Sequence, residues 1–553
     1  MTDFSLLLVV FTPLVIALIG ACIPKTSPRG RDVWYVCGTA YETLIAALVF
    51  LRRSVLYEYT ITGFAGFGLH FINSPFQGTY VAVTASLWLM TMCFAMEYLK
   101  HDHDRGRYCF YNLITLSGVM GVFLSADLFT TFVFFEIMSF ASYPLVIHEE
   151  TPGAMKAGET YLGVAVISGM VLLVGIFMLK HEASTLNFYE LRYYFEDIEL
   201  SPLAFVGGTL VLLGFGAKAG MFPLHVWLPQ AHPVAPSPAS ALLSGILTKT
   251  GVFGIIVMSA NVFMHTELFG EILLTLAVIT MFLGALLALF STNLKRTLAC
   301  SSMSQIGFIL TGVSFTLLLH NDSLAQNGAF LHMMNHSFIK LVLFMCAGVV
   351  AMNAHALELN EIRGYGRRKP FLAFVFLIGA LSIMGVPLFG GYISKTLIHE
   401  GIVEYIEEYA LTSARHFVFK AVEWIFLLSG GLTVAYMTKL FVCIFIEKNE
   451  DETRQKTFDG QKDFFYLSLW NRPVFLISCV PLMIIGLMPG TIFSEFSWRT
   501  CGFFNSQKIR SIEIGLFESE YDIPDFFGLE SLEGAAISIG IGIVIYFALV
   551  RTV

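Results

Sequence analysis

Charge is scarce in this chain. Of its 553 residues, 13% are Asp, Glu, Lys or Arg, while 56% are hydrophobic and 52 are phenylalanine. Soluble proteins carry about 25% charged residues, so the composition excludes a water-soluble globular domain and points to an integral membrane protein. Paired cysteines are missing too. The nine cysteines (22, 37, 93, 109, 300, 346, 443, 479 and 501) are scattered with no CxxC spacing, which argues against a zinc or iron–sulfur site. No basic patch suggests nucleic acid, and the net charge of −8 is spread over loops. The glycine-rich segment GFGAKAG at 214–220 has no preceding strand and misplaces its third glycine, so it is not a dinucleotide-binding fingerprint. The two sizeable hydrophilic stretches, 448–470 and the acidic 497–532 (Glu513, Glu518, Glu520, Asp522, Asp525), are each too short for a catalytic domain. No signature for a metal or any other cofactor is present, and an enzyme acting alone is not expected.

Apolar runs fill the rest. A bilayer crossing takes about 20 apolar residues. On that measure about fifteen helices are expected, near 4–23, 33–51, 79–97, 109–124, 127–147, 160–180, 203–222, 238–263, 272–290, 298–319, 328–352, 371–399, 418–446, 473–496 and 533–550. The first run follows an acidic start and lacks a basic flank, so it reads as a retained span and not a cleaved signal. Cations cluster after the first run (Lys25, Arg29, Arg31), the third (Arg105, Arg107), the ninth (Lys295, Arg296) and the eleventh (Arg363, Arg367, Arg368, Lys369). These loops share one parity. Positive residues favour the cytoplasm, which places the N-terminus outside and the C-terminus inside a prokaryotic-type cytoplasmic membrane; Arg52 and Arg53 run against the rule.

The fold class expected is therefore an all-α polytopic membrane protein. Two of its runs are interrupted. The seventh carries Gly214, Gly216, Gly220 and Pro223, and the twelfth carries Gly385, Pro387, Gly390 and Gly391. Paired discontinuous spans point to an inverted repeat with the ion site at the breaks. They stand five apart in helix order, which suggests two five-helix units, 109–263 and 272–447. Residues 1–108 would supply three preceding spans, and 448–553 a cytoplasmic loop, the last spans and the acidic external segment.

The few charges inside the runs carry the functional reading. Lys218 and Lys249 flank a segment with Pro223, Pro229, Pro233, Pro236 and Pro238, along with His225 and His232. An ammonium within an apolar helix costs roughly 2.5–3.5 kcal/mol on insertion scales. Snorkelling from a helix end would explain one such lysine, but not several. Glu136 sits mid-run, nine residues after Asp127 and twelve before His148; such a carboxyl must be protonated or paired. His332, His336 and Lys340 stand at i, i+4 and i+8, one helical face over about 12 Å. Lys395 closes the twelfth run. Glu423, a secondary site candidate with His225 and His232, and Lys439 lie near the ends of the thirteenth, where either a functional role or simple solvation would account for them, and Glu97 and Lys100 read as a helix-end pair. A carboxylate brought to a buried lysine and withdrawn would switch its proton affinity.

FFEIMSFASYPLV, the proline-rich stretch from GFGAKAG to ILTKTG, NLKRTLACSSMSQIGFIL, NHSFIKLVLF and PLFGGYISK together resemble the antiporter-like subunits of respiratory complex I. The same family takes in the large subunits of Mrp-type cation/proton antiporters and of energy-converting membrane hydrogenases. The resemblance covers about residues 75–445 and fades beyond 447. It implies two inverted repeats carrying proton half-channels joined by a hydrated axis. Glu136 resembles the fifth-helix glutamate, Lys218 its seventh-helix partner, Lys249 the eighth-helix connecting residue, His332, His336 and Lys340 the eleventh-helix track, and Lys395 the twelfth-helix terminal residue. The expected function is ion translocation, with H⁺ or Na⁺ as cargo and H⁺ the better fit, as one membrane subunit of a redox-driven complex. Its partners would be other membrane subunits and an iron–sulfur, hydrogenase or quinone-reducing arm. The alternatives are the ion-exchange subunit of an Mrp-type antiporter without a redox partner, and a scaffold whose charges do not move.

Overall fold

The computed structural model describes residues 4–24, 26–52, 57–100, 102, 104–196, 198–264, 266–319, 324–461, 466–504 and 523–551. Helices dominate: α1 (Ser5–Cys22), α2 (Pro28–Leu51), α3 (Pro75–Tyr98), α4 (Arg105–Phe123), α5 (Leu128–Val146), α6 (Pro152–Ala183), α7 (Phe188–Glu196), α8 (Pro202–Ala219), α9 (Leu228–Val234), α10 (Ser237–Leu242) and α11 (Thr248–Asn261) form the first part. They are followed by α12 (Glu267–Phe290), α13 (Leu294–Leu318), α14 (Leu324–Ala354), α15 (Leu359–Ile362), α16 (Pro370–Met384), α17 (Gly390–Glu408), α18 (Ser413–Phe441), α19 (Glu452–Gly460), α20 (Arg472–Leu487), α21 (Pro489–Phe504) and α22 (Leu529–Ile545). Local chemistry sets their starts. Ser74 and Gln77 form a capping box ahead of Pro75, and Asp127, Thr151, Ser201, Asn293 and Thr412 each accept a backbone N–H of the first turn. These caps satisfy donors the helix leaves free, and proline at the first position loses none.

Among the described residues, twelve helices are long and apolar enough to cross a membrane, or thirteen if one bent pair counts as a single span. The expected fifteen also included α4, whose first turns hold Arg105 and Arg107, and the run 371–399. That run divides into α16 and α17, and α17 continues to Glu408. The run 473–496 is not straight: α20 and α21 meet at 97°, because Pro489 has no N–H to continue the first helix. A hairpin also stands outside the all-helical expectation. Strands β1 (Tyr57–Ile61) and β2 (Leu69–Asn73) pair antiparallel, joined by a turn with Gly63, Gly66 and Gly68 at positive φ. Its alternation, YEYTI with Tyr57, Tyr59 and Ile61 on the less exposed face, is the period-two signal of a strand. Of the acidic stretch, Glu513, Glu518, Glu520 and Asp522 lie outside the described residues.

Two helix ends inside the bundle are built alike. Helix α8 closes at Gly220 (φ 80°) and α16 at Gly385 (φ 78°). In each, the next residue bonds back across the turn, Met221 N–H to Gly216 O and Val386 N–H to Leu381 O. This is the 6→1 bond of a Schellman cap, whose left-handed residue favours glycine. Pro223 and Pro387 then bar the helix from resuming at once.

The most enclosed helices are polar ones. Every residue in the apolar windows of Ser237–Asn261 and Leu294–Leu318 is buried, and these stretches hold Ser240, Ser244, Thr248, Lys249, Ser301, Ser302, Ser304 and Gln305. Lipid therefore meets the apolar helices at the rim, where Phe140, Ile167, Met170 and Val544 are exposed. Polar groups deep in the bundle are the arrangement a solvated path requires, because hydrocarbon offers them no partners. At the periphery Glu97 does not pair with Lys100. Its carboxylate accepts from Ser468 N–H and Oγ and from Asn471 Nδ2, fixing the approach to α20. Hydrogen bonds to a charged group contribute about 1.5–3 kcal/mol each. Glu97→Ala is therefore expected to destabilise the folded chain by about 2 kcal/mol, read as a lowered thermal midpoint in detergent; an unchanged midpoint would refute the contact's role.

A buried polar track between the two helix breaks

Lys218 projects from the last turn of α8. Its Nζ donates to the Tyr161 hydroxyl at 2.7 Å, and that hydroxyl lies 2.5 Å from Ser142 Oγ on α5. Trp227 closes the wall by donating Nε1–H to Ala217 O at 2.8 Å. A cavity of about 10 Å³ lies among Ser139, Tyr161, Ser168, Lys218 and Trp227, near the lower limit of about 10–15 Å³ for one water. Glu136, one turn before Phe140 on α5, is only half-buried. No ion pair joins it to Lys218, whose Nζ is taken up by Tyr161. Its Oε1 is buried without a hydrogen-bond partner, and the carboxylate lies against the bare Cα of Gly169 on α6. A Cβ at Gly169 would occupy the carboxylate's place.

Lys249 is wholly buried at the start of α11. A π-helical turn, Leu243–Leu247, precedes it, and the Ser244 carbonyl of that turn accepts from its Nζ at 2.6 Å. The same Nζ lies 2.6 Å from His336 Nδ1 on α14. His332, one turn earlier, stacks nearly parallel to His336, with ring centroids 6.4 Å apart and planes at 8°. Its nitrogens meet Ser394 Oγ of α17 at 2.8 Å and Gln305 Oε1 of α13 at 3.0 Å. Asn335 donates Nδ2–H to Gly390 O at 2.7 Å, and Ser337 donates to Gly245 O at 2.6 Å. Four helices are thus tied together by side chains that can pass or accept a proton.

Lys340 shares a face with the two histidines but does not join them. Its Nζ turns to α13, donating to Leu298 O at 2.8 Å and to Ser301 Oγ. Lys395 reaches back to the end of α16, where Ile383 O accepts at 2.8 Å, and it sits 4.6 Å over the Phe308 ring. The terminal carbonyls of a helix carry the negative end of its dipole. Lys395 thereby places its ammonium at the helix C-terminus that the Gly385 cap creates, whereas Lys218, in the last turn before Gly220, turns to the Tyr161 hydroxyl. His232 is buried against Phe344 (centroids 4.9 Å) with both nitrogens free of protein partners, and His225 lies over Phe222; neither hydrogen-bonds to the track. Glu423 pairs with Lys420 at 2.8 Å and His399 at 3.4 Å instead of standing in solvent.

Several groups of the interior have weaker signals in the sequence. Tyr161 has none for its contact with Lys218, 57 residues away. His399 follows Lys395 by one turn, a spacing plain in the sequence. Glu42 on α2 is fully buried with neither oxygen partnered. Lys439 donates to the Ala288, Leu289 and Ser291 carbonyls, capping α12, which gives that lysine a structural task. Among the described residues, no three of His, Cys, Asp or Glu lie close enough to hold a metal ion.

Lysines and histidines are thus tied together at the centre of a polytopic helical bundle. Residues 125–442 match the family described as NADH:quinone oxidoreductase/Mrp antiporter, TM, and the chain belongs to that family of antiporter-like membrane subunits. It is 31% identical to hydrogenase-4 component B of Escherichia coli strain K12 over 375 residues, 65% of this chain but 55% of that protein's length. It is 27% identical to a Na(+)/H(+) antiporter subunit of Alkalihalophilus pseudofirmus over 427 residues, 77% of this chain and 81% of that one. The fold is shared with a polypeptide of the Mrp complex from Dietzia sp. DQ12-45-1b, at TM-score 0.82 and 20% identity, covering 98% of this chain and 56% of the other.

Proposed function

We propose that the chain is the proton-translocating membrane subunit of a redox-driven, multi-subunit complex of the complex I or membrane-bound hydrogenase type. The observation that carries this reading is the series Lys249–His336–His332–Ser394, which crosses from α11 through α14 to α17 without leaving the interior. Protons would be loaded at Lys218, with Glu136 as its mobile counter-charge. They would pass along Lys249, His336 and His332, with Lys340 beside them, and leave from Lys395. His225 and His232 would hydrate the proline-rich segment between Lys218 and Lys249. Such a path needs no bound cofactor in this chain; electrons would be handled by an iron–sulfur, hydrogenase or quinone-reducing partner.

The twin Schellman caps support reading α8 and α16–α17 as the broken spans of two inverted five-helix units, 109–263 and 272–447. Cation placement supports an external N-terminus and a cytoplasmic C-terminus. The second reading is an ion-exchange subunit of an Mrp-type antiporter with no redox partner. It is favoured by the length of the match to the antiporter subunit, 81% against 55% for the hydrogenase component. The subunits that co-purify with the tagged chain separate the two, since iron–sulfur proteins belong to the first alone.

Charge movement itself is tested at the loading site. Glu136→Gln keeps the shape of the half-buried carboxyl and removes its charge. Proton uptake by liposomes containing the complex is expected to fall about tenfold, which corresponds to about 1.4 kcal/mol. Uptake at the unsubstituted rate, with the complex intact, would favour the scaffold reading.

A further inference from the structure

The polar track ends at Lys395, yet a proton there is still inside the bundle. One turn further along α17 lies His399. A cavity of about 30 Å³ is lined by both residues, together with Tyr392 and Thr396 of α17 and Ser531, Gly534 and Ser538 on the α22 side. That volume exceeds the roughly 10–15 Å³ one water needs, and hydroxyls from two helices face it. Gly534 approaches the ring so closely that a Cβ there would stand 3.2 Å from His399 Nδ1. Nδ1 therefore looks toward the cavity. The opposite nitrogen, Nε2, faces Glu423 Oε1 of α18 at 3.4 Å, and Nε2 is buried with no closer hydrogen-bond partner. The other oxygen of Glu423 accepts from Lys420 at 2.8 Å, and the Lys420 side chain is 43% exposed while those of His399 and Glu423 are 17% and 13% exposed.

We propose that His399 and Glu423 form the release relay that carries a proton from Lys395 to the membrane surface at the α17–α18 connection, with Lys420 holding the outlet. This rests on the proton-translocating reading above. The step balances as a proton shift along fixed groups. The Lys395 ammonium gives its proton through the cavity water to Nδ1 of neutral His399. The imidazolium then loses the proton on Nε2 to Glu423 Oε1, and the resulting carboxylic acid loses it to solvent beside Lys420. A change of ring tautomer restores His399. The 3.4 Å gap is longer than a hydrogen bond, so the relay closes only when the ring or the carboxylate moves a few tenths of an ångström. That makes the pair a gate as well as a wire. Helix α22 covers the cavity, and through Gly534 it sets the ring's position.

The test uses the whole complex, purified through the native chain and sealed in liposomes, with proton uptake driven by a potassium diffusion potential. His399→Gln and Glu423→Gln are each expected to lower the uptake rate at least fivefold, and Glu423→Asp to recover it to within about twofold. Uptake at the native rate in His399→Gln or Glu423→Gln overturns the relay. Lys420→Gln changes a solvent-exposed side chain, and serves if the buried variants disturb assembly. Its uptake should fall about threefold, and an unchanged rate counts against the proposal. Lys218→Ala, in parallel, separates this proposal from the reading beneath it. Uptake lost in Lys218→Ala but native in His399→Gln defeats the relay alone, whereas native uptake in Lys218→Ala defeats both.

Discussion

Replacing His336 with alanine is expected to abolish proton translocation and to loosen the bundle at the same time. The imidazole stands 2.6 Å from the Lys249 ammonium and within stacking distance of His332. It is therefore the side chain that joins α11 to the rest of the track. Without it Lys249 keeps the Ser244 carbonyl, with Thr248 Oγ1 at 3.4 Å, and loses its link toward α17. A charged buried group deprived of a partner costs about 2 kcal/mol or more. Potential-driven uptake should drop more than about fiftyfold, and the thermal midpoint of the purified complex should fall with it. His336→Gln, which can still meet the ammonium, should restore the midpoint but not the uptake, because an amide does not exchange protons as an imidazole does. A His336→Ala complex that pumps at half the native rate would show that protons take another course.

Substituting leucine for Gly391 is expected to prevent the folded complex from accumulating. Even a Cβ at this position would overlap the Ser382 carbonyl oxygen, and at Gly390 it would stand 2.6 Å from Asn335 Oδ1. The start of α17 is pressed against the end of α16 with no room between them. Forcing them apart breaks the Lys395 bond to Ile383 O and the Ser394 contact with His332. Overpacking of a tight core costs typically about 1–3 kcal/mol, and here backbone obstructs backbone, so relaxation by a rotamer change is barred. Membranes should hold less than about a tenth of the native amount of assembled complex by native gel. Native levels of Gly391→Leu would mean that the two helices separate more easily than their packing implies.

Residues with local physics were the readable ones. Gly220 and Pro223, and Gly385 and Pro387, mark the two breaks in the sequence itself, whereas the expected runs at 79–97 and 160–180 begin short of the caps at Ser74–Pro75 and Thr151–Pro152, because the first turns there are too polar to count as apolar run. The intramembrane cations were equally visible, since any ionisable group in an apolar run stands out. Their partners were not. Whether Lys340 meets His336 or Ser301 depends on how α13 lies against α14, and periodicity along one helix carries no information about that. The same applies to Glu97, which finds Ser468 and Asn471 far along the chain and leaves Lys100. His399 was hidden for another reason: a histidine four residues beyond Lys395 gains its meaning only from a carboxylate on the following helix. The hairpin of β1 and β2 was hidden by its setting, since the alternation YEYTI is short beside the helical runs around it.

In the proposed path the charge on buried Lys249, and not its bulk, is what moves protons. In Lys249→Met, methionine fills much of the same space without a titratable group, so the charge goes while most of the bulk stays. The measurement is potential-driven proton uptake by liposomes carrying the purified complex, alongside its thermal midpoint. Uptake at the level of empty liposomes is expected from a Lys249→Met complex that still assembles. Native uptake by a stable Lys249→Met complex would contradict it.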